Sequence, residues 1–181
     1  VLAAVHKAPV PQRLDAPGGA PWPLLEYDAL ALEVNADLFV EWLPKAADVR
    51  IDDSARARWE QVRDGLIVKA LGFPRAFTIR DYHAENLLWL PQREGLQRVG
   101  ILDFQDAVRG WRAWDFAMLL HDARRDVSPD AADAAVRAYL EETGASEADF
   151  RRELCVLGAI NAMRILGIFA RLAARDGKQR Y

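Results

Sequence analysis

The sequence is poor in cysteine, because its 181 residues contain only Cys155. A single cysteine cannot form an internal disulfide, so the sequence favours a reducing compartment, and we expect the cytoplasm. Cys155 lies in an apolar stretch with helical spacing, which predicts a place in the core rather than in a catalytic site.

An excess of one charge and long apolar runs are also absent. The net charge of −3 lacks the basic excess with which proteins bind nucleic acid. No signal peptide opens the chain and no run of about 18 apolar residues crosses it, so we expect neither secretion nor a membrane span. A hydrophobic content of 51% with 28% charged residues is typical of one soluble globular domain.

The polar residues of most chemical interest stand between short apolar runs. Pro and Gly bound these runs, whose length predicts short buried strands at 77–79, 87–90 and 99–102. We therefore expect three polar residues to lie on loops at strand ends, where a rigid scaffold displays chemistry: Asp81, Asn86 and Asp103.

The spacing of these three residues fits phosphoryl transfer. Such a site needs a carboxylate to accept the proton of the attacking hydroxyl, and hard oxygen ligands that hold Mg²⁺ and leave room for phosphate. Asp81 and Asn86 lie on one tight loop and can face one cavity, while Asp103 arrives from the next hairpin. The pattern D-x-x-x-x-N followed by a strand and D-F matches most of the protein-kinase signature.

These motifs resemble the aminoglycoside/choline phosphotransferase family, the small-molecule branch of the kinase fold. That family reads H-G-D-x-H-x-x-N and then I-D-F or I-D-W, which residues 80–86 and 102–104 match. Asp115 in A-W-D-F-A matches the family's Y-D-L-A at a helix start. Three longer strings resemble the family's bacterial cell-wall amino-sugar kinases: 81–91, 104–107 and 122–127.

The resemblance implies a reaction and its participants. ATP would donate its γ-phosphoryl group in the presence of Mg²⁺, and the acceptor would be the anomeric hydroxyl of N-acetylmuramate or N-acetylglucosamine, a step of peptidoglycan recycling. Asp81 would be the catalytic residue that deprotonates this hydroxyl. Asn86 and Asp103 would hold the metal ion.

Three further residues are expected to support this loop. Arg80 would support the catalytic loop or the phosphates. His83 is either a core histidine bonded to the backbone or a neighbour of the γ-phosphate. Asp115 is expected to be structural, since a carboxylate near a helix N-terminus can accept hydrogen bonds that hold the catalytic loop.

The sequence departs from the family at two positions. Ile79 stands where the family has histidine, so the hydrogen bonds of that histidine must be made by other groups or be lost. Gln105 stands where protein kinases have the glycine of D-F-G. Neither change removes a proton acceptor or a metal ligand.

Two other groups are weaker candidates for contact with the acceptor. Glu33, Asp37 and Glu41 recur every fourth residue of a helix predicted over residues 24–43. They form either a solvated stripe, the simpler interpretation, or a rim facing the substrate. Arg124 and Arg125 are either ordinary cations at a helix C-terminus or an anion site for the lactyl carboxylate of N-acetylmuramate.

Cap signals delimit the later helices. Ser128 with Pro129 predicts a helix start, and Gly144 predicts its end. A further helix is expected from about 146 to 175, buried among other helices because it is apolar nearly all round its middle.

The predicted fold is α+β and mostly helical, the C-terminal lobe of a kinase-like fold with a small β-hairpin region for the catalytic and metal loops. Residues 1–8 would end a connector helix between lobes, 9–23 would be a Pro/Gly-rich loop, and 24–181 the helical lobe. No G-x-G-x-x-G covers the ATP phosphates, so we expect the N-terminal lobe to be absent from this chain and the fragment alone to be inactive.

Three classes of function remain open from the residues. The first is a small-molecule kinase, whose acceptor could also be an aminoglycoside, choline or another small alcohol. The second is a non-catalytic pseudokinase that binds ligands, which the Ile79 departure raises. The third is a metal-dependent phosphohydrolase built on carboxylates and His83, which would leave Asn86 unexplained.

Overall fold

The computed structural model describes residues 1–15 and 18–177, and within them the chain is mostly helical. The helices are α1 Leu2–Lys7, α2 Ala29–Ala46, α3 Asp53–Leu71, α4 Arg112–Leu120, α5 Pro129–Thr143 and α6 Glu147–Ala174. The strands are β1 Arg13–Leu14, β2 Trp22–Pro23, β3 Arg75–Thr78, β4 Leu87–Trp89, β5 Val99–Ile101 and β6 Val108–Trp111. This content confirms the α+β, mostly helical class.

The cap signals around α5 predicted its bounds correctly. The Ser128 hydroxyl accepts a hydrogen bond from the Ala131 N–H at 3.2 Å, and Pro129 is the first helical residue. Gly144 ends the helix with φ of 67°, a left-handed conformation that glycine adopts without steric cost.

The start of α2 was predicted too early, at residue 24. The helix begins at Ala29 because the Asp28 carboxylate caps it, accepting from the Ala31 N–H at 2.9 Å. The residues before this cap pair with a strand instead, since the Tyr27 N–H donates to the Arg109 carbonyl at 3.0 Å.

The predicted loop at 9–23 contains a short pair of strands. β1 and β2 pair antiparallel, with Leu14 opposite Trp22. Residues 16 and 17 of this loop and residues 178–181 of the predicted helical lobe lie outside the described residues.

The chain divides into two compact units, each built from separate stretches. The first contains Val1–Tyr27 and Pro74–Leu154, and the second contains Asp28–Phe73 and the chain from Cys155 onward. The first unit holds all six strands, so every strand-end loop of the sequence analysis belongs to it.

An aromatic core organises the first unit. Trp111 and Trp114 are fully buried, and the ring of Tyr27 packs against both, 5.8 and 4.8 Å between centroids. Phe116, Tyr139 and Phe150 form a second cluster with centroid distances of 4.7–5.1 Å. Such pairs stabilise beyond the area they bury, so they hold β6, α4, α5 and the start of α6 in one arrangement.

Strand β3 pairs antiparallel with β6, which leads directly into α4. At the Ala76–Gly110 pair a side chain would not fit, because a Cβ on Gly110 would lie 2.8 Å from the Thr78 hydroxyl oxygen. This tight pairing fixes the end of β3, where the catalytic loop begins, against the start of α4.

The second unit packs α2 against α3 and the C-terminal part of α6. Gly167 of α6 meets the backbone of Leu38 so closely that a Cβ would overlap it. Leu32 and Ala36 of α2 are fully buried in this unit.

Helix α6 corrects one prediction. Cys155 is exposed, not in the core, because a helix that is apolar nearly all round does not show by its pattern which face is buried. By length and apolar composition α6 could cross a membrane, as the core helix of a soluble protein also could, and 44% of its most apolar 18-residue window is buried.

Candidate active site

Asp115 holds the start of the catalytic loop. Its side chain is fully buried in α4, and it accepts hydrogen bonds from the backbone N–H groups of Ile79 and Arg80, both at 2.9 Å. Burial raises the pKa of this carboxyl, while the hydrogen bonds from His6, Ile79 and Arg80 oppose that shift. The Asp115 side chain therefore fixes the backbone of the two residues that precede Asp81.

The backbone of Arg80 is held in a conformation that a side chain rarely adopts. Its φ is 77°, in the left-handed region that favours glycine. Both of its backbone polar groups are bonded to α4, since its N–H donates to Asp115 and its carbonyl accepts from the Trp114 indole N–H at 3.0 Å. These buried contacts maintain a strained turn immediately before Asp81.

The loop closes around the carbonyl of Asp81. That oxygen accepts from the His83 N–H and from the Asn86 side-chain amide, both at 3.0 Å. Because the amide nitrogen of Asn86 is used in this way, its side-chain oxygen is turned elsewhere and is available as a ligand.

The β4–β5 hairpin brings the second carboxylate to the same place. Leu87 pairs with Ile101, and the Leu102 N–H donates to the Asn86 carbonyl at 2.8 Å, so Asn86 and Asp103 flank one end of this ladder. Asp103 has φ of 53°, a left-handed conformation that aspartate tolerates better than most residues. Its carboxylate makes no hydrogen bond or ion pair within the described part of the chain.

Asn86 and Asp103 fit Mg²⁺ as a pair of hard oxygen donors. This ion is usually held by one or two carboxylates together with waters and substrate phosphates, not by an all-protein cage. Among the described residues no group of three or more His, Cys, Asp or Glu could hold a metal. Asn86 and Asp103 would therefore form an open Mg²⁺ site, in which oxygens of a phosphate substrate complete the coordination.

The Arg80 side chain lies between the two loops. Its Nη2 is 3.4 Å from Asp106 Oδ2 and 3.7 Å from Asp81 Oδ2. The guanidinium therefore sits beside the candidate base and links the catalytic loop to the short 3₁₀ turn Phe104–Asp106.

His83 is half-buried on the same loop. Burial lowers the pKa of its imidazole and the nearby Arg124 guanidinium lowers it further, against the opposing effect of Asp122, Asp81 and Glu85. Its Nδ1 is buried without a hydrogen-bond partner among the described residues. A neutral ring can donate or accept a single hydrogen bond but adds no positive charge to the site.

Arg124 and Arg125 differ in their surroundings. Arg124 donates from Nε to the buried carboxylate of Asp122 at 2.9 Å and from Nη1 to Glu85 at 3.1 Å, so it ties the segment after α4 to the catalytic loop. The Arg125 side chain is exposed and makes no hydrogen bond or ion pair within the described residues. Of these two arginines, Arg125 is therefore the one whose guanidinium has no partner among the described residues.

The acidic row belongs to the second unit. Asp37 accepts from Arg63 of α3 at 2.6 Å and from the Trp59 indole N–H at 2.9 Å, and Glu33 lies 3.4 Å from the same Arg63. The hydrogen bond to Asp37, with a further one to Asp64, raises the pKa of Arg63 above its ordinary range. Glu41 has no such partner in the described residues and lines a cavity of about 490 Å³ with Asp37.

The sequence analysis missed three residues that shape the loop. His6 lies 3.4 Å from Asp115, Trp114 bonds the Arg80 carbonyl, and Glu85 bonds Arg124. Local spacing carries no signal for His6, because 109 positions separate it from Asp115. Trp114 could have been considered, since it directly precedes Asp115 in the motif A-W-D-F-A.

Most of this chain matches one known protein family. The model of the phosphotransferase enzyme family matches residues 1–153, which include the catalytic loop, the metal loop and Asp115. The chain belongs to this family.

Several relatives of the chain are bacterial proteins. It is 51% identical to an N-acetylmuramate/N-acetylglucosamine kinase of Caulobacter vibrioides, an alignment that covers 99% of this chain and 50% of the relative. Proteins of the same name from Pseudomonas aeruginosa and Neisseria meningitidis serogroup B are 33% and 32% identical, over 94% and 87% of this chain. The chain spans about half the length of the relatives it matches.

Proposed function

We propose that this chain carries the catalytic and metal-binding loops of an ATP- and Mg²⁺-dependent kinase that phosphorylates a sugar hydroxyl. The observation that supports this most strongly is a pair of hydrogen bonds, from the Asn86 amide to the Asp81 carbonyl and from the Leu102 N–H to the Asn86 carbonyl. They join the loops that carry the proposed base, Asp81, and the proposed metal ligands, Asn86 and Asp103. Phosphoryl transfer relies on positioning and electrostatics more than on covalent chemistry, and this loop is held in position by buried contacts.

In this proposal the residues of the loop divide the work. Asp81 accepts a hydrogen bond from the acceptor hydroxyl, orients it towards the γ-phosphorus and takes its proton. Asn86 and Asp103 would hold Mg²⁺, which when bound neutralises charge on the phosphate oxygens. The Arg80 guanidinium lies 3.7 Å from the Asp81 carboxylate, and His83 supplies a hydrogen bond.

The acceptor that we propose is the anomeric hydroxyl of N-acetylmuramate or N-acetylglucosamine. Support comes from the relatives, which are named for phosphorylating these two sugars and share up to 51% of their aligned residues with this chain. Sugars of this kind arise when peptidoglycan is recycled, so the protein would act in the cytoplasm.

The parts that cover the nucleotide would be carried by the rest of the full-length protein, with this chain as the C-terminal lobe of a kinase-like fold. Leu88, Trp89 and Phe104 are exposed on the hairpin and metal loop. Exposed apolar side chains next to charged ones are suited to face a nucleobase or a second lobe. Relatives twice the length of this chain leave room for such a lobe.

Of the two arginines, we propose Arg125 as the residue that recognises the lactyl carboxylate of N-acetylmuramate. The Arg124 guanidinium already serves Asp122 and Glu85. Replacing Arg125 with Gln should raise KM for N-acetylmuramate about tenfold and leave KM for N-acetylglucosamine unchanged, because a charge-assisted hydrogen bond contributes about 1.5–3 kcal/mol. Equal changes for both sugars would contradict this role.

The proposed function can be tested by incubating the full-length protein with Mg-ATP and each sugar and detecting the sugar phosphate by mass spectrometry. Asp81→Asn is the matched inactive control. Transfer to aminoglycosides or choline but to neither sugar would overturn the acceptor. Binding of Mg-ATP without transfer would indicate a pseudokinase, and release of phosphate from a phosphorylated sugar without ATP would indicate a hydrolase.

A further inference from the structure

His6 connects a remote helix to the catalytic loop. It lies near the end of α1, and its side chain is 2% exposed. One ring nitrogen, Nε2, is 3.4 Å from Asp115 Oδ2, and the other, Nδ1, is 3.1 Å from the Tyr139 hydroxyl. The mechanism proposed above does not use this histidine, although it touches the side chain that holds the loop.

The partners of His6 determine which nitrogen carries the proton. An ionised carboxylate only accepts hydrogen bonds, so Nε2 must donate to Asp115. On the other side of the ring, Nδ1 lies within hydrogen-bond distance of the Tyr139 hydroxyl. The charged groups that face this histidine are Asp115 of α4 and, beyond Tyr139 of α5, the Arg112–Glu153 pair, which meets at 2.6 Å.

The hydrogen bond from His6 matters because the two oxygens of Asp115 accept from different backbone N–H groups of the loop. Oδ1 accepts from the Arg80 N–H, whereas Oδ2 accepts from the Ile79 N–H and from His6. A buried carboxylate with too few donors turns or takes up a proton, and either change would disturb one of the two loop contacts. Arg80 would respond first, because its φ of 77° persists only while its surroundings hold it.

We propose that His6 is a positioning residue that orients the Asp115 carboxylate and thereby sets the position of Asp81. The imidazole acts through Asp115 and the backbone of Ile79 and Arg80, and it touches neither nucleotide nor acceptor. This inference rests on the proposed function for its kinetic consequence but not for its structural one.

The test uses two variants of the full-length enzyme that differ by one methylene. In His6→Gln the amide nitrogen can take the place of Nε2 and still donate to Asp115. In His6→Asn the shorter side chain reaches only the position of Nδ1. We expect His6→Asn to lower kcat by about 10- to 100-fold with both KM values within about twofold of wild type, since small misplacements of a reacting group are costly. His6→Gln should recover most of kcat.

A control separates positioning from loss of stability. Leu2 is buried on the same helix, and its apolar side chain cannot hydrogen-bond to Asp115. Leu2→Ala should therefore lower the melting temperature and leave kcat unchanged. If Leu2→Ala reduces kcat as much as His6→Asn at equal stability, or if His6→Gln does not differ from His6→Asn, the positioning role is wrong.

A second readout does not depend on activity. The amides of Ile79 and Arg80 should exchange with deuterium faster in His6→Asn than in wild type or His6→Gln, because their acceptor is disturbed. Unchanged exchange in His6→Asn would overturn the proposal for His6 even if kcat fell. The two proposals can fail separately. If the wild-type protein phosphorylates neither sugar but the amides of Ile79 and Arg80 exchange faster in His6→Asn than in wild type, the proposed function is wrong and the role of His6 is supported.

Discussion

Two groups of carboxylates in this chain lie in contrasting surroundings. Asp81 and Asp103 follow short strands in the first unit, on loops whose backbones are tied down by Asp115, Trp114 and the β4–β5 ladder. Glu33 and Asp37 lie on a helix of the second unit, where Arg63 of the neighbouring helix neutralises them. In the first group hydrogen bonds fix the backbone, and the Asp103 carboxylate has no hydrogen-bond or ion-pair partner among the described residues. In the second group Arg63 pairs with the carboxylates themselves.

The difference indicates what each group contributes. A carboxylate that already has a close cation and an indole N–H, as Asp37 has, contributes to packing of α2 against α3. A carboxylate held in place through its backbone, such as Asp103, keeps its oxygens for a ligand. Substitutions in the first group should therefore change activity more than stability, and those in the second group stability more than activity.

The largest effect is expected from Asp81→Asn in the full-length enzyme. The carboxamide keeps the shape but cannot accept the proton, so kcat should fall about 10²- to 10⁴-fold. The melting temperature should stay close to that of wild type, because the substitution leaves the Asp81 carbonyl and its hydrogen bonds from His83 and Asn86 in place. A kcat near wild type would show that Asp81 is not the base.

The two metal candidates should differ in how they respond to Mg²⁺. Asp103→Ala should lower kcat more than Asn86→Ala, because a charged oxygen binds a hard cation more strongly than an amide oxygen. Raising Mg²⁺ should partly restore Asp103→Ala. It should restore Asn86→Ala less, since that variant also loses the bond to the Asp81 carbonyl. Magnesium titrations of kcat for both variants check this order, and the reverse order would contradict it.

In the second unit, Asp37→Ala should lower the free energy of unfolding by about 1–3 kcal/mol, because Arg63 and Trp59 lose a shared partner. The matched control is Glu41→Ala on the same helix, which should change it by less than about 0.5 kcal/mol. Denaturant unfolding measures both. A rise in KM for the sugar in either variant, with stability unchanged, would restore the acidic row as a substrate rim.

The smallest effect concerns Asp122, a paired carboxylate in the catalytic unit. Burial alone raises its pKa, but the hydrogen bonds from Arg124 outweigh burial and hold the pKa below its ordinary value. A lowered pKa stabilises the folded state above the unfolded-state pKa and loses that contribution as pH falls through the folded-state pKa.

Arg124→Gln should therefore be less stable than wild type at neutral pH by about 1 kcal/mol, as expected for a partly exposed pair. The difference should begin to shrink as pH falls below the ordinary aspartate pKa of about 4, and should be lost at a still lower pH, where Asp122 of the folded protein becomes protonated. Melting temperatures across this range, with Arg125→Gln as the control, would show it. A difference that does not change with pH would mean that Asp122 is not the group involved.

Much of the catalytic loop could be predicted from sequence because its residues are close together in the chain. The strand, turn and hairpin around Asp81, Asn86 and Asp103 depend on neighbours within about 25 positions, and apolar runs bounded by Pro and Gly reveal them. Caps such as Ser128 act through the next three residues and were predicted correctly for the same reason. The roles of the site residues stay predictions until they are measured.

The tertiary structure decided whatever depends on distant partners. No local pattern shows that Asp37 would meet Arg63, that Arg124 rather than Arg125 would be neutralised by Glu85, or that Cys155 would face outward. The same holds for His6 beside Asp115 and for two units assembled from interleaved stretches. Neighbouring residues determine the local geometry of the backbone, whereas the partner of a side chain depends on which surfaces the packed helices bring together.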